Sequence, residues 1–216
     1  MPLTGSVFLQ GLALSLGLIV AIGAQNAFIL RQGLRREHVT SVVLFCAVTD
    51  ALLIAAGVLG MAQALGERPL VANILALAGA VFLAVYGWQA LRRAQEPSRL
   101  LAGDEGSGLR WATAMAQAAA FTLLNPHVYL DTVLLVGSIG AQQPAHLQMW
   151  FVAGASCASL MWFSALGFGA RWLAPLFAKP RAWQVLDLLI GLTMWVLSAG
   201  LIWRWIDYLN TGNLLR

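Results

Sequence analysis

Six apolar runs dominate this sequence, and each is long enough to cross a lipid bilayer. A transmembrane helix needs about 20 consecutive apolar residues. The runs extend over Leu3 to Leu30, Val39 to Leu65, Leu70 to Leu91, Trp111 to Ile139, Leu147 to Ala170 and Trp183 to Trp203. Hydrophobic residues make up 60% of the 216 residues, and charged residues 10%. We therefore expect an all-α integral membrane protein with six transmembrane helices.

The distribution of positive charge predicts the orientation of these helices, because cytoplasmic joints carry an excess of Arg and Lys. Most of the 13 basic residues lie in the first, third and fifth joints between runs. They are Arg31, Arg35, Arg36, Arg92, Arg93, Arg99, Arg110, Arg171, Lys179 and Arg181. Arg68, Arg204 and Arg216 lie on the other side. We therefore expect those three joints in the cytoplasm and both termini outside.

The charges and the cysteines argue against two other classes of function. The net charge of +4 comes from short joints beside apolar runs. We therefore expect membrane lipid as a partner and no nucleic acid. Cys46 and Cys157 stand alone in separate runs, with neither a C-x-x-C pair nor the spacing of metal ligands. Both are interpreted as small core residues, and a thiol-disulfide carrier is not expected.

A polar segment interrupts the fourth apolar run. Asn125, Pro126, His127, Tyr129 and Asp131 follow one another within eight residues of otherwise apolar sequence. Proline leaves a carbonyl without its helical donor, and an ionised carboxylate in hydrocarbon costs several kcal/mol. Both groups must therefore face protein or water. The segment indicates a solute path through the membrane.

The two halves of the sequence share a layout. The first run of each half carries a polar interruption, at residues 23–26 and at residues 125–127. In the second run of each half, Asp50 and Ser159 each lie ten residues before a glycine. Both are polar positions in an apolar context. This correspondence indicates two related repeats.

An odd number of crossings in each half determines how the repeats are related. Because three helices precede the glycine-rich joint near residues 103–108 and three follow it, the second half must enter the membrane the opposite way round. Secondary transporters use this inverted-repeat plan. We expect one transporter domain over residues 1–216, with repeat one at about 3–91 and repeat two at about 111–205.

Two carboxylates at depth suit a cationic substrate. At about 1.5 Å per residue from Val39, Asp50 lies roughly 16 Å into the bilayer, and Asp131 lies about 9 Å further out than Asn125. We predict that Asp50 or Asp131 pairs with an ammonium or guanidinium group. One of them is also expected to exchange a proton in the empty carrier.

Neutral polar groups complete the predicted site. Asn125 and Pro126 suit the cap and first turn of a new helix, whose free N–H groups can bind a carboxylate. Gln25 and Asn26 can hold the substrate ammonium or line the opposite gate, and Tyr129 can stack on a guanidinium. The alternative is a hydrogen-bond cluster that locks the two repeats together.

Other chemistries have weaker support in the sequence. His127 and Asp131 are four residues apart and share a helical face, so a divalent metal or another small cation is an alternative solute. Two ligands without a third do not make a metal site, and no cofactor is expected. The sequence offers no nucleophile with a base and no phosphate loop, so an enzyme is not expected. Asp187 is expected to reach the inner interface.

Two motifs resemble those of the LysE-type exporters. Residues 23–28 followed by Gln32-Gly33 are similar to the first motif. Residues 124–132 are similar to the second, especially to that of the arginine-exporting branch. The resemblance covers about Leu3 to Trp203. It implies export of arginine, lysine or close analogues from the bacterial cytoplasm, driven by an ion or voltage gradient without ATP.

The resemblance also carries expectations about location and structure. It implies a multi-pass protein of the bacterial inner membrane. The family has proline where this chain has Ala24, and Gly23 alone weakens a helix without forcing a kink. Small residues are too common to locate a dimer seam, so a homo-oligomer is compatible with the sequence.

Overall fold

A computed structural model describes residues 2–20, 23–61, 69–95, 109–177 and 179–210 of the chain. Throughout these ranges the regular elements are helices, without a strand, which confirms the all-α prediction. Several predicted features lie outside the described residues. They are the end of the second run at 62–65, the joints at 66–68 and 103–108, and Arg68, Arg99 and Arg216.

The helices are numbered α1 to α9 in chain order. They are α1 (Pro2–Ile19), α2 (Ala24–Arg35), α3 (Val39–Ala56), α4 (Pro69–Gln95), α5 (Trp111–Leu123), α6 (residues 126–141), α7 (Ala145–Gly169), α8 (Ala174–Phe177) and α9 (Pro180–Asn210). A short segment with a kink at Gly60, Gly57–Met61, follows α3, and a 3-10 turn, Ala170–Leu173, follows α7. The middle of α6 is π-helical, over Tyr129–Val136.

The first predicted run forms two helices rather than one interrupted helix. The helix α1 ends at Ile19, Gly23 has extended backbone, and the axes of α1 and α2 are bent by 83°. The Asn26 side-chain amide donates to the Ile19 carbonyl at 2.7 Å, which satisfies an acceptor that the broken helix leaves open. The chain therefore bends sharply even with Ala24 in place of the family's proline.

The fourth predicted run is broken at the expected residue. The helix α5 ends at Leu123, and α6 begins at Pro126. The Asn125 side-chain oxygen accepts a hydrogen bond of 3.1 Å from the His127 backbone N–H. Such a bond satisfies a helical donor that has no partner within its own helix. Asn125 is therefore the cap of the new helix, as the sequence predicts.

The described helices make this a multi-pass membrane protein. Three of them are long and apolar enough to span a bilayer, over Val39–Gly60, Ala145–Leu173 and Arg181–Trp203. The bent pair of α1 and α2 makes a fourth span if both helices cross together. The apolar part of α6, Tyr129–Ala141, is shorter. The three or four spans found within the described ranges are fewer than the six that the sequence predicts.

Close helix pairs hold the bundle together. The main pairs are α1 with α7, α2 with α7, α3 with α7, α3 with α5 and α6, and α4 with α9. Glycines lie at several of these crossings, where an added Cβ would collide with the facing helix. They are Gly11 and Gly154 between α1 and α7, Gly57 and Gly137 between α3 and α6, and Gly87 and Gly191 between α4 and α9. Small residues permit this approach of one backbone to another.

Candidate functional site

A cavity of about 170 Å³ lies beside the two helix breaks. This is far more than the roughly 10–15 Å³ that a single water requires. Its walls come from the end of α1, the start of α2, the middle of α3 and the first half of α6, with Leu197 from α9. The polar lining residues are Ser15, Gln25, Asn26, Asp50, Asn125, His127, Asp131 and Thr132.

Most of the side chains that the sequence singled out meet at this cavity. The ones that line it are Gln25, Asn26, Asp50, Asn125, His127 and Asp131. Tyr129 is not among the lining residues, and its hydroxyl donates to the Leu123 carbonyl at 2.9 Å. For Pro126 the structure describes only the backbone, which begins α6. The fold therefore brings together polar residues from both halves of the chain, while their roles stay predictions.

Asp50 is the most deeply buried acid on the cavity wall. Its exposed fraction is 3%, and its Oδ2 accepts a 3.0 Å hydrogen bond from the Ser159 hydroxyl of α7. Its Oδ1 is buried and makes no hydrogen bond to any described residue. Buried carboxylate oxygens are normally paired. Asp50 therefore retains an acceptor for a donor that enters the cavity.

Asp131 and His127 face the same cavity from α6. Both side chains are half-buried, and they are four residues apart on the helix. Two acids from different halves of the chain, Asp50 and Asp131, thus border one space. Within the described ranges, no group of three or more His, Cys, Asp or Glu side chains is arranged to hold a metal ion. The arrangement suits an organic cation that two carboxylates can share.

The amide side chains on the cavity wall also link helices. The Gln25 amide donates to the Thr122 hydroxyl at 3.1 Å, and that hydroxyl donates to the Ala118 carbonyl at 2.8 Å. Thr122 was not singled out from the sequence, although it lies only three residues before Asn125. Gln25 therefore lines the cavity and also belongs to an interhelical hydrogen-bond cluster.

Asp187 corrects an expectation about the last helix. It does not reach the interface, because its side chain is fully buried and forms ion pairs with Arg31 of α2 and Arg93 of α4. Arg93 Nε and Nη2 each lie 3.3 Å from Asp187 Oδ1, which also accepts from Arg31 Nη1. Because Asp187 lies only seven residues into α9, its side chain was expected to extend to the inner membrane interface. The packing of α2 and α4 encloses it instead. A buried charge needs such partners.

Comparisons with known proteins identify the family. The model of the LysE type translocators matches residues 16–204. The arginine exporter protein ArgO of Serratia proteamaculans is 40% identical over 200 residues, which cover 92% of this chain and 97% of that protein. The protein of the same name from Yersinia enterocolitica is 40% identical over 197 residues, which cover 89% and 94%.

A third relative carries a broader name. It is a Mycobacterium bovis protein named as a candidate amino-acid transporter, and it is 45% identical over 175 residues, which cover 81% of this chain and 86% of that protein. No solved structure matches the chain. Because the family match and the relatives both extend over most of its length, the chain belongs to the LysE type translocators, a family of transporters rather than enzymes.

Proposed function

We propose that this protein exports arginine, or a close basic analogue such as lysine, across the bacterial inner membrane. The observation that carries the proposal is the cavity between the helix breaks, which Asp50 and Asp131 both line. Carboxylates within a membrane protein mark solute or ion pathways by default. The family match and the two relatives named as arginine exporters support the same substrate class.

The substrate's two ends bind different parts of the cavity in this proposal. Its guanidinium or ammonium side chain pairs with Asp50, whose Oδ1 is free to accept, and with Asp131. Its α-carboxylate binds at the beginning of α6, where Asn125 and Pro126 start a new helix with its positive dipole end. The amides of Gln25 and Asn26 provide neutral contacts for the α-ammonium group.

We further propose six crossings arranged as two inverted repeats. In this arrangement the three crossings of the first half are α1 with α2, then α3, then α4. They correspond, in chain order, to the three crossings of the second half, which are α5 with α6, then α7, then α9. The pairing of α1 with α7 then corresponds to the pairing of α5 with α3, and the pairing of α2 with α7 to that of α6 with α3; all four pairs are in contact. The pairs α3 with α7 and α4 with α9 correspond to themselves. The hydrogen bond between Asp50 and Ser159 joins equivalent positions of the two repeats.

The proposed coupling is to the proton motive force. Moving one positive charge out of a cell whose interior is negative costs about 2.3 kcal/mol per 100 mV. Exchange for an incoming proton cancels that electrical cost. In this scheme Asp50 or Asp131 takes the proton after the substrate cation has left, because an unpaired carboxylate in a low-dielectric site favours its neutral form.

Efflux from liposomes tests this function directly. Purified protein in liposomes loaded with labelled arginine is expected to release it when an inward proton gradient is imposed. Unlabelled lysine and ornithine are expected to compete, whereas neutral amino acids of similar size are not. Release no faster than from protein-free liposomes, under every imposed gradient, would contradict arginine export. Equal competition by neutral amino acids would contradict recognition of the side-chain cation.

Replacing Asp50 by Asn tests the residue that carries the proposal. The amide has nearly the same shape but no charge, so it can neither pair with the cation nor exchange a proton. We expect efflux to fall to the level of protein-free liposomes while the variant still inserts into membranes and elutes normally in size-exclusion chromatography. Full arginine efflux by Asp50→Asn would refute the role of this carboxylate.

A further inference from the structure

Four aromatic side chains pack beside the cavity. This aromatic layer consists of Phe28 of α2, Phe82 and Tyr86 of α4, and Phe121 of α5. The ring centroid of Phe121 lies 5.1 Å from that of Phe28, 4.9 Å from that of Phe82 and 4.5 Å from that of Tyr86. Phe28, Tyr86 and Phe121 are buried. The layer therefore packs into the space between three helices.

A charged cluster lies next to the aromatic layer. This ion cluster consists of Arg31, Arg93 and Asp187. The Arg93 guanidinium carbon lies 5.4 Å from the ring centroid of Tyr86, so the cluster and the layer are in contact. Arg31 is 6% exposed, and Asp187 is fully buried. Three helices, α2, α4 and α9, are thus joined by charge at one level of the bundle.

The cavity, the layer and the cluster follow one another along α2. Gln25 and Asn26 line the cavity, Phe28 belongs to the aromatic layer, and Arg31 belongs to the ion cluster. Each step of three residues advances about 4.5 Å along a helix. On α4 the order is the same, from Tyr86 in the layer to Arg93 in the cluster. The two levels therefore lie in sequence on one side of the cavity.

That side is the predicted cytoplasmic side. Arg31 is followed by the arginine-rich first joint, and Asp187 lies near the start of α9, after the basic joint at Lys179 and Arg181. The cavity lining extends the other way, along α1 back to Ser15 and along α6 to Val136. The aromatic layer and the ion cluster therefore lie between the cavity and the predicted cytoplasmic side.

We propose that the aromatic layer and the ion cluster form the cytoplasmic gate of the transport path, with Arg31 and Asp187 as its latch. Substrate from the cytoplasm reaches the cavity only when the latch pair separates. The inference rests on the transport path proposed above and extends it to residues outside the cavity. Arg31, Arg93 and Asp187 are positioning residues in this scheme, and they do not bind the substrate.

The charge balance of the ion cluster favours a pair that can separate over a permanent link between the helices. Two guanidinium groups share one carboxylate, and both donate to Asp187 Oδ1. The other oxygen, Oδ2, is buried and has no hydrogen-bond partner among the described residues. Hydration on opening would satisfy that oxygen and separate the two like charges. The closed state is thus held by an ion pair whose carboxylate lacks one hydrogen bond. Water can replace the contacts of this pair.

The shape of α2 allows it to move as a unit. Its beginning is the 83° bend after α1, and its end is followed by Arg36 and His38, both in the left-handed backbone region. Hinges are commonly a few residues at the ends of an element. A rotation of this short helix about its two ends would withdraw Phe28 and Arg31 together. One motion would therefore open both levels of the gate.

A natural thiol lies at the level of the aromatic layer and can report on the gate. Cys46 of α3 is buried in the same core as Phe28 and Phe121, and its Sγ lies 3.8 Å from the Thr122 hydroxyl. Because Cys46 packs in the same core as this layer, a reagent from the cytoplasm is expected to reach it only after the ion cluster has opened. Replacing the other cysteine by Cys157→Ala leaves Cys46 as the single thiol.

The experiment measures labelling of Cys46 by a membrane-impermeant maleimide in inside-out vesicles of the Cys157→Ala protein. Asp187→Asn leaves two arginines uncompensated in the closed gate, so we expect labelling at least roughly tenfold faster. Arg93→Gln leaves a balanced pair of Arg31 and Asp187, so we expect labelling no faster than in the parent. Glu37→Gln is the matched control, because this acid pairs with Arg35 at 3.6 Å outside the cluster.

The pattern across the variants decides the proposal. Unchanged labelling in Asp187→Asn overturns the latch, and so does equal acceleration in Asp187→Asn and Arg93→Gln, which indicates general loosening. If Asp187→Asn does not insert, Arg31→Gln removes the latch pair itself while Arg93 still balances Asp187, and it is expected to accelerate labelling more than Arg93→Gln does. The test needs no substrate. If arginine efflux fails but the labelling pattern is as expected, the proposed substrate is refuted and the gate is not. If arginine efflux is observed but the labelling pattern is not, the gate alone is refuted.

Discussion

Asp50 illustrates how a single buried charge depends on a distant residue. Its only hydrogen bond to a described residue comes from Ser159, which lies 109 positions later in the chain. The sequence marked both residues as equivalent polar positions in two halves, but it did not show that they touch. In the folded chain the hydroxyl binds one carboxylate oxygen, and the other makes no hydrogen bond to a described residue.

Removing the Ser159 hydroxyl is expected to weaken transport without abolishing it. Ser159→Ala removes the hydrogen bond to Asp50 Oδ2, and an unsatisfied buried polar group costs about 1–3 kcal/mol. We expect arginine efflux from liposomes to fall about tenfold, which corresponds to about 1.4 kcal/mol, in the lower part of that range. Ser159→Thr keeps the hydroxyl and is the matched control. Equal efflux by Ser159→Ala and the parent would show that the hydrogen bond does not position Asp50.

At the scale of the helices, the two breaks differ in how they are stabilised. Asn125 caps α6 from its own neighbourhood, through the 3.1 Å bond to the His127 N–H. At the first break, Asn26 reaches back seven residues to the Ile19 carbonyl. Both breaks use an asparagine side chain in place of a helical hydrogen bond, and both border the cavity. The two asparagines therefore stabilise the helix breaks and also line the cavity.

The crossing of α1 and α7 predicts which glycines are needed for stability. A Cβ at Gly154 would collide with the Phe8 backbone, whereas a Cβ at Gly17 would meet no atom within 4 Å. Overpacking of this kind typically costs about 1–3 kcal/mol. We expect Gly154→Ala to lower the thermal unfolding midpoint in detergent by several degrees, and Gly17→Ala to leave it unchanged or slightly raised. A similar midpoint for both variants would contradict the close crossing.

At the scale of the whole molecule, the acidic residues of the cavity and most basic residues lie at different levels of the helix bundle. The acids of the cavity lie near the helix breaks, and the ion cluster and most basic residues lie toward the predicted cytoplasmic side. A cationic substrate would thus leave a basic surface, pass a gate and reach a site with two carboxylates. In this proposal the orientation of the chain therefore decides from which side the substrate enters.

Reporter fusions test that orientation. If both termini lie outside, alkaline phosphatase fused after Arg216 is expected to be active and green fluorescent protein at the same position dark. Fusions after Gly106, in the third joint, are expected to show the opposite pattern, and they serve as the internal control. The reverse pattern at the two positions would overturn the assignment by positive charge, and with it the cytoplasmic location of the ion cluster.

The sequence by itself determined the class of fold and most of the cavity. Run length fixes an all-α membrane protein, because lipid cannot hydrogen-bond an open backbone. Polar residues in apolar runs are costly, so the positions of Asp50, Asn125 and Asp131 already indicated where a site must form. Asn125 could be predicted as a cap because capping acts within one helical turn.

Only the tertiary structure decided which distant groups meet. Gln25 bonds Thr122 across 97 positions, and Arg31 pairs with Asp187 across 156. Local patterns report the environment of one helix, whereas such pairs depend on which helices pack together and on their rotation. Asp187 was wrongly expected at the interface for that reason, since its burial comes from α2 and α4 rather than from its own position in α9.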